Sequence, residues 1–507
     1  MAGGNPTGLP TLRVMTTSLP VERRGRVCEP CAVRRPGPLS PLLVLLLVCL
    51  AVPGVAGAAP KLRVQGNNLV DIRSGLSFVP RGVNWPSFEY ACSDGYGYSN
   101  AASAENVGPD AAGAALIASW HVNTVRVPLN QDCWLGEDGL PRFGQPSGYR
   151  AAVRRWVSTL HKADLAVVLD LHWSGPAGVV SDGQRALPDD RSDDFWTSVA
   201  RTFKKDRSVI FDVFNEPYSR YAADGTLVFN LTWQCWRSGG CAAPRTGDRQ
   251  ALDGQTFTAV GLWSLVDAIR ATGAKQPIML GGVDYASDLR QWLANQPADK
   301  QVIASFHNYG GHLCHNERCW DDVIAPIAAE APVVTGEFGE TDCQTSPESF
   351  MDWADRHGVG YLMWAWWVLP DTDCSTLTVL ADAKGTPHAP NGTALKAHLA
   401  GLAPRVSLPA AKKVQTLDRA VEVTVKCTRS CFASATGRLL AAGRSYGLRA
   451  SGRGVKAGRK RVLALRISSK ARRAAAAALA RHRSVSARIT VAASAGTRKR
   501  IAVKLRG

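Results

Sequence analysis

The sequence predicts an α/β chain: a closed (β/α)8 TIM barrel at residues 60–403, a connector at 404–410, and a small all-β, sandwich-like domain at 411–507. Eight short apolar runs alternate with amphipathic segments over roughly 300 residues, the size at which parallel strands close into a barrel. The charge then changes sign. Residues 60–404 hold 28 Lys+Arg against 38 Asp+Glu, whereas 405–507 hold 26 against Asp418 and Glu422 alone. The apolar period changes with it, to 2 in V421-E-V-T-V425, V485-S-A-R-I-T-V491 and I501-A-V-K-L505.

Taken in order, residues 1–59 read as an export leader. Arg34-Arg35 precede the apolar run 42–52, and A56-G-A58 offers a small-x-small cleavage site. The run is shorter than the about 20 residues needed to cross a bilayer, so a secreted, extracellular protein without a stable membrane span is expected. Met15 is an alternative start, and L-L-V-C49 lacks the small residues of a lipoprotein signal.

A hairpin follows over 62–79, with turns at Gly66-Asn67-Asn68 and Ser74-Gly75. The eight strands are expected at 78–84, 122–129, 165–173, 209–214, 278–281, 302–307, 333–338 and 361–368. Helical spacing marks 149–161, 194–203 and 257–270 between them. No glycine-rich dinucleotide fingerprint follows the first strand, which favours the barrel over an open doubly wound sheet. In the tail, the alanine-rich 469–480 is expected to form one crossing helix.

Of thirteen cysteines, Cys28, Cys31 and Cys49 fall in the leader, and an even number remains in an exported chain. Cys235/Cys241, Cys314/Cys319 and Cys427/Cys431 are spaced to staple single loops. Cys92 and Cys133 lie after strands one and two, Cys343 and Cys374 after strands seven and eight. Neighbouring loops of a barrel sit side by side, so Cys92–Cys133 and Cys343–Cys374 are the expected long-range bridges. Paired CxxC motifs with a histidine cluster are missing from the mature chain, so no metal or other cofactor is expected.

The C-terminal ends of barrel strands converge on one mouth. Here they carry Arg126, His172, Asn215-Glu216, His307 with Tyr309, Glu337 and Trp364. Any one of these could be a structural hydrogen-bonder; together they would form an unsatisfied polar cluster unless a ligand occupied the mouth. Two glutamates there suit glycosidic cleavage, which needs one acid for the leaving oxygen and one carboxylate at the anomeric carbon. A G-x-S-x-G elbow and a phosphate-cradling glycine loop are both missing.

With T124-V-R-V-P, L169-D-L-H172, F214-N-E-P, S305-F-H-N-Y309, T335-G-E-F-G and L362-M-W364 in place, residues 62–400 resemble the cellulase-like glycoside hydrolases of family 5. The resemblance implies a retaining hydrolase with a polysaccharide substrate. Glu216 would be the acid/base, kept protonated by the nearby negative charge of Glu337. Glu337 would be the nucleophile, held ionised by Arg126 and the Tyr309 hydroxyl. Asn215 would bond the sugar 2-OH, His172 and His307 would orient substrate and acid, and Trp364 would stack on the sugar. A β-1,4-glucan is the first substrate expected, with β-mannan or another β-glycan as the alternative, and a non-catalytic glycan-binding protein as the rival from another class.

Trp134, Trp233, Trp236, Trp320, Trp366 and Trp367 flank the mouth in sequence; some are expected in the core and exposed ones could stack further sugars, with Trp367 expected to point away from the face of Trp364 if the strand alternates that far. The basic tail holds only Phe432 and Tyr446 as aromatics, which argues against nucleic acid and leaves an anionic cell wall as the partner its charge would fit.

Overall fold

The computed structural model describes residues 59–95, 108–136, 146–247, 249–252, 254–369, 374–409 and 412–507. Residues 1–58 of the leader lie outside them, as does the Cys374 side chain, and with it the Cys343–Cys374 pairing. Among the described residues no helix is long and apolar enough to cross a membrane.

Eight parallel strands form a closed barrel: β1 (Arg81–Asn84), β2 (Thr124–Asn130), β3 (Ala166–Trp173), β4 (Val209–Asp212), β5 (Ile278–Gly281), β6 (Val302–Tyr309), β7 (Val333–Gly339) and β8 (Gly360–Met363). β8 pairs with β1 to complete the ring. Each strand is buried on both faces because one face meets the outer helices and the other fills the barrel interior. The interior floor is built from Val168, Ile210, Met279, Ile303, Val334 and Leu362. The N-terminal hairpin seals it from below, placing Leu62, Val64 and Leu69 in the same cluster.

Two expected helices run over Pro146–Lys162 and Ser192–Phe203. The third differs. Residues Thr256–Val260 form a strand paired with Gly239–Pro244, and the helix begins only at Leu262. Phe257 and Ala259 are buried in alternation, so their spacing serves a sheet face, and Gly261 breaks the chain before the helix. Disulfides Cys92–Cys133, Cys235–Cys241, Cys314–Cys319 and Cys427–Cys431 are formed.

The tail contributes β9 (Val406–Ser407), β10 (Val414–Thr416), β11 (Ala420–Cys427), β12 (Cys431–Ala441), β13 (Arg444–Val455), β14 (Lys460–Arg466), β15 (Val485–Ala493) and β16 (Arg498–Arg506). They are ordered β9-β11-β14-β13-β12-β15-β16-β10. A single residue pair, Arg449 with Arg466, links β13 to β14, so the sheet folds there into two halves sharing one core. The helix Ser469–Ala480 adds Ala471, Ala475 and Ala478 to that core.

The tail docks beneath the barrel, at the N-terminal ends of its strands. The Arg73 guanidinium lies 4.5 Å over the Phe432 ring, and the His121 ring meets the Ala495 carbonyl at 3.1 Å. A cavity of about 330 Å³ between the two is lined by residues including Arg81, Asn123, Asp164 and Ser434.

Candidate active site

Inward residues of a barrel strand recur every second position. Above the apolar floor this places Asn84, Arg126, Asp170 and Asp212 in one polar layer, and His172 above it. Arg126 is fully buried and its guanidinium is used on every side. Nε donates to Asp212 Oδ2 at 2.9 Å, and Nη1 donates to Asn84 Oδ1 at 3.0 Å and to Glu337 Oε1 at 2.7 Å. Nη2 donates to Asn215 Oδ1 at 2.7 Å and pairs with Asp170 Oδ2 at 3.0 Å. Burial raises both Asp170 and Asp212 above the ordinary carboxylate range against the pull of Arg126.

The sequence reading missed Asn84, Asp170 and Asp212. A signal existed for the two acids, since each interrupts an apolar strand, in V-V-L-D170 and V-I-F-D212, where an unpaired carboxylate is costly.

Glu216 follows β4. The backbone continues past Asp212 with Val213 N bonded to Met279 O and Asn215 N to Leu171 O, which carries Asn215 and Glu216 to the mouth. Glu216 Oε1 lies 2.6 Å from His307 Nδ1, and its Oε2 accepts from Gln184 Nε2 at 3.1 Å. Gln184 also accepts from Asn215 Nδ2 at 3.0 Å, so one loop amide ties both residues together. Nothing in the sequence marked Gln184, which sits in an irregular loop. Burial raises the Glu216 carboxyl, and the Gln184 hydrogen bond opposes it. Desolvation is therefore the first cause of the rise, where the resemblance pointed to the charge of Glu337.

Glu337 reaches the mouth through an irregularity in β7. Strict alternation from the inward Val334 would turn Glu337 outward. The pairing with β6 slips between Phe306 and His307, so that Ser305 faces Val334 but His307 faces Glu337. The extra residue is accommodated at Gly336, where a Cβ would stand 2.9 Å from His307 Nε2. Glu337 then turns inward, and Phe338 packs outward on Phe350 and Tyr361.

Besides Arg126, Glu337 is held by the Tyr309 hydroxyl, which donates to Oε2 at 2.9 Å. Oxygens of Glu216 and Glu337 and a nitrogen of His307 all lie within 4.8 Å of one another. Such a trio could face a cation; its carboxylates also carry the bonds to Arg126, Tyr309, His307 and Gln184. Burial pushes the His307 imidazole down to about 3, so it is neutral at any ordinary working pH. His172 Nδ1 meets Asp170 Oδ2 at 2.7 Å, and its ring stacks on Trp364 at 5.4 Å between centroids.

All eight sequence-derived residues thus meet at one mouth. The flanking tryptophans divide. Trp134, Trp236, Trp320 and Trp366 are buried in the core, whereas Trp233 is only partly buried. Trp367 meets Trp364 edge-on at 5.8 Å instead of pointing away, because the regular strand ends at Met363.

Comparison with known proteins gives the family of the chain. The family model for cellulase (glycosyl hydrolase family 5) matches residues 82–369. A mannan endo-1,4-β-mannosidase from Streptomyces lividans is 25% identical over 336 residues, covering 63% of this chain and 70% of that one. An endoglucanase A from Evansella cellulosilytica is 20% identical over 227 residues, 44% of this chain and 39% of that one. Among solved structures, a β-glucanase from Saccharophagus degradans is similar at 19% identity and a TM-score of 0.49, covering 68% of this chain and 94% of that one. With the family model spanning more than half of its length, the chain belongs to glycosyl hydrolase family 5, the cellulase family.

Proposed function

We propose that the chain hydrolyses β-1,4-linked polysaccharide by a retaining double displacement. The observation that carries the reading is the approach of the Glu216 and Glu337 oxygens to within 4.8 Å. Retaining glycosidases hold their carboxyl groups about 5–5.5 Å apart, whereas inverting ones need room for a water.

Glu337, ionised beside Arg126, attacks the anomeric carbon while Glu216 delivers its proton to the leaving oxygen. The first bond to break is the glycosidic C–O bond, and the first to form is the glycosyl ester to Glu337. Water then enters on the side vacated by the leaving group, gives its proton back to Glu216, and releases the ester. Neutral His307 can offer a donor or an acceptor at Nδ1, so it serves Glu216 in both protonation states without adding charge. Asn215, fixed by Arg126 and Gln184, is placed to bond the sugar 2-OH, and Trp364 to stack on the ring.

A β-1,4-glucan is the first substrate proposed. β-Mannan is the second, supported by the similarity to the Streptomyces lividans mannosidase. Hydrolysis of carboxymethyl-cellulose, mixed-linkage glucan, galactomannan and xylan, with proton NMR of the first anomer released, tests both mechanism and substrate. Release of the inverted anomer, or inertness on all four, would overturn the reading. Export is part of the same proposal, supported by the formed disulfides, which persist in oxidising compartments.

A further inference from the structure

The outer face of the tail strands β12, β15 and β16 carries Arg438, Arg488, Arg498, Arg500, Lys504 and Arg506, all exposed. Inward neighbours such as Leu439, Ala487, Ile489 and Val503 are buried, so the period-2 pattern collects the charges on one side. Arg438 stands directly opposite Arg488 across the strands. Like charges in that relation repel and destabilise a sheet. The tail's own carboxylates do not relieve them: Glu422 lies on β11 in the other half of the sheet, Asp418 precedes that strand, and no tail Lys or Arg joins an ion pair among the described residues; from the barrel, Asp164 acts on Arg498 alone of the six.

The charges are also regular. Along β16 outward positions recur every ~6.8 Å. The gap at Ala502 lies opposite Arg488 on the adjacent strand, which continues the row. A row of guanidinium groups suits a polymer with an acidic group on each repeat better than a single small anion. Phe432, on the outer side of β12 at the end of this face nearest the barrel, is covered by Arg73, so base stacking has no free platform.

We infer that this face of the tail binds an acidic polysaccharide, a carboxylate-bearing chain lying along β15 and β16.

The test uses the full chain on immobilised polygalacturonate, with duplex DNA at equal charge as the comparison. Wild-type protein should be retained near 0.15 M NaCl and released by about 1 M, because exposed charges are screened within a few ångströms there. The triple variant Arg438→Ser, Arg488→Ser, Arg500→Ser should bind at least ~10-fold more weakly, with a salt dependence shallower by about two to three ions released. The matching triple Arg→Lys variant should keep most of the retention, which separates lost charge from lost folding. Binding of the Ser variant equal to wild type, tighter retention on DNA than on polygalacturonate, or retention that survives 1 M salt would each overturn the inference.

Discussion

Gln184 Nε2 donates to Glu216 Oε2 at 3.1 Å, and this contact sets the acid against its surroundings. Burial favours the protonated carboxyl, while the Gln184 donor favours the carboxylate. In the proposed mechanism the acid form protonates the leaving group, so kcat/KM is expected to fall as pH rises through the Glu216 value. Gln184→Leu removes the downward pull. The alkaline limb should therefore move to higher pH, and a limb that stays put or moves down would refute the assignment.

Replacing Glu216 by Gln should lower kcat on polysaccharide by about 10²–10⁴-fold, the usual worth of a positioned acid. The glycosylation step should recover on aryl glycosides whose leaving groups need no proton. Glu337→Gln should abolish turnover on both substrate kinds, since no acid can substitute for the missing nucleophile. Equal losses on both substrates in the two variants would mean that the roles are not divided as proposed.

Gly336→Ala tests the irregularity in β7. The added methyl would stand 2.9 Å from His307 Nε2 and 3.1 Å from Ser305 Oγ, so the imidazole must shift away. Because His307 contacts the acid, kcat should fall by up to ~10²-fold with little change in KM. The pH profile should shift as well, which a merely loosened strand would not produce.

The Cys92–Cys133 bridge joins the loops after β1 and β2 across 41 residues, with the Cα atoms 5.7 Å apart. Closing a loop of that length is worth about 3–4 kcal/mol. The double variant Cys92→Ser, Cys133→Ser should show a denaturation midpoint lowered accordingly, and reductant should move the wild type the same way. A midpoint unchanged by either treatment would show that the bridge constrains nothing the folded packing does not already fix.

Much of the mouth was legible because each strand ends its apolar run on a polar group, as in L-D-L-H172 and F-N-E216. The layer beneath was harder to see. In a strand buried on both faces, inward and outward residues are equally apolar, so nothing in V-I-F-D-V-F says which way Asp212 points. Nor does the sequence show that β7 gains a residue at Gly336; simple alternation would have aimed Glu337 at the helices. In the tail, the helix Ser469–Ala480 was readable from its alanines. β13 was not, because R444-S-Y-G-L-R-A-S-G-R-G-V455 has no apolar alternation and is recruited by its neighbours.

The tail sits at the opposite pole of the barrel from the mouth, beside the starts of β1, β2 and β3. A polymer held by the tail, as inferred above, would be gripped at the pole away from the mouth. What is held and what is cut would be separate polymers, and a tethered molecule would forage in the layer above its anchor rather than erode the material it stands on.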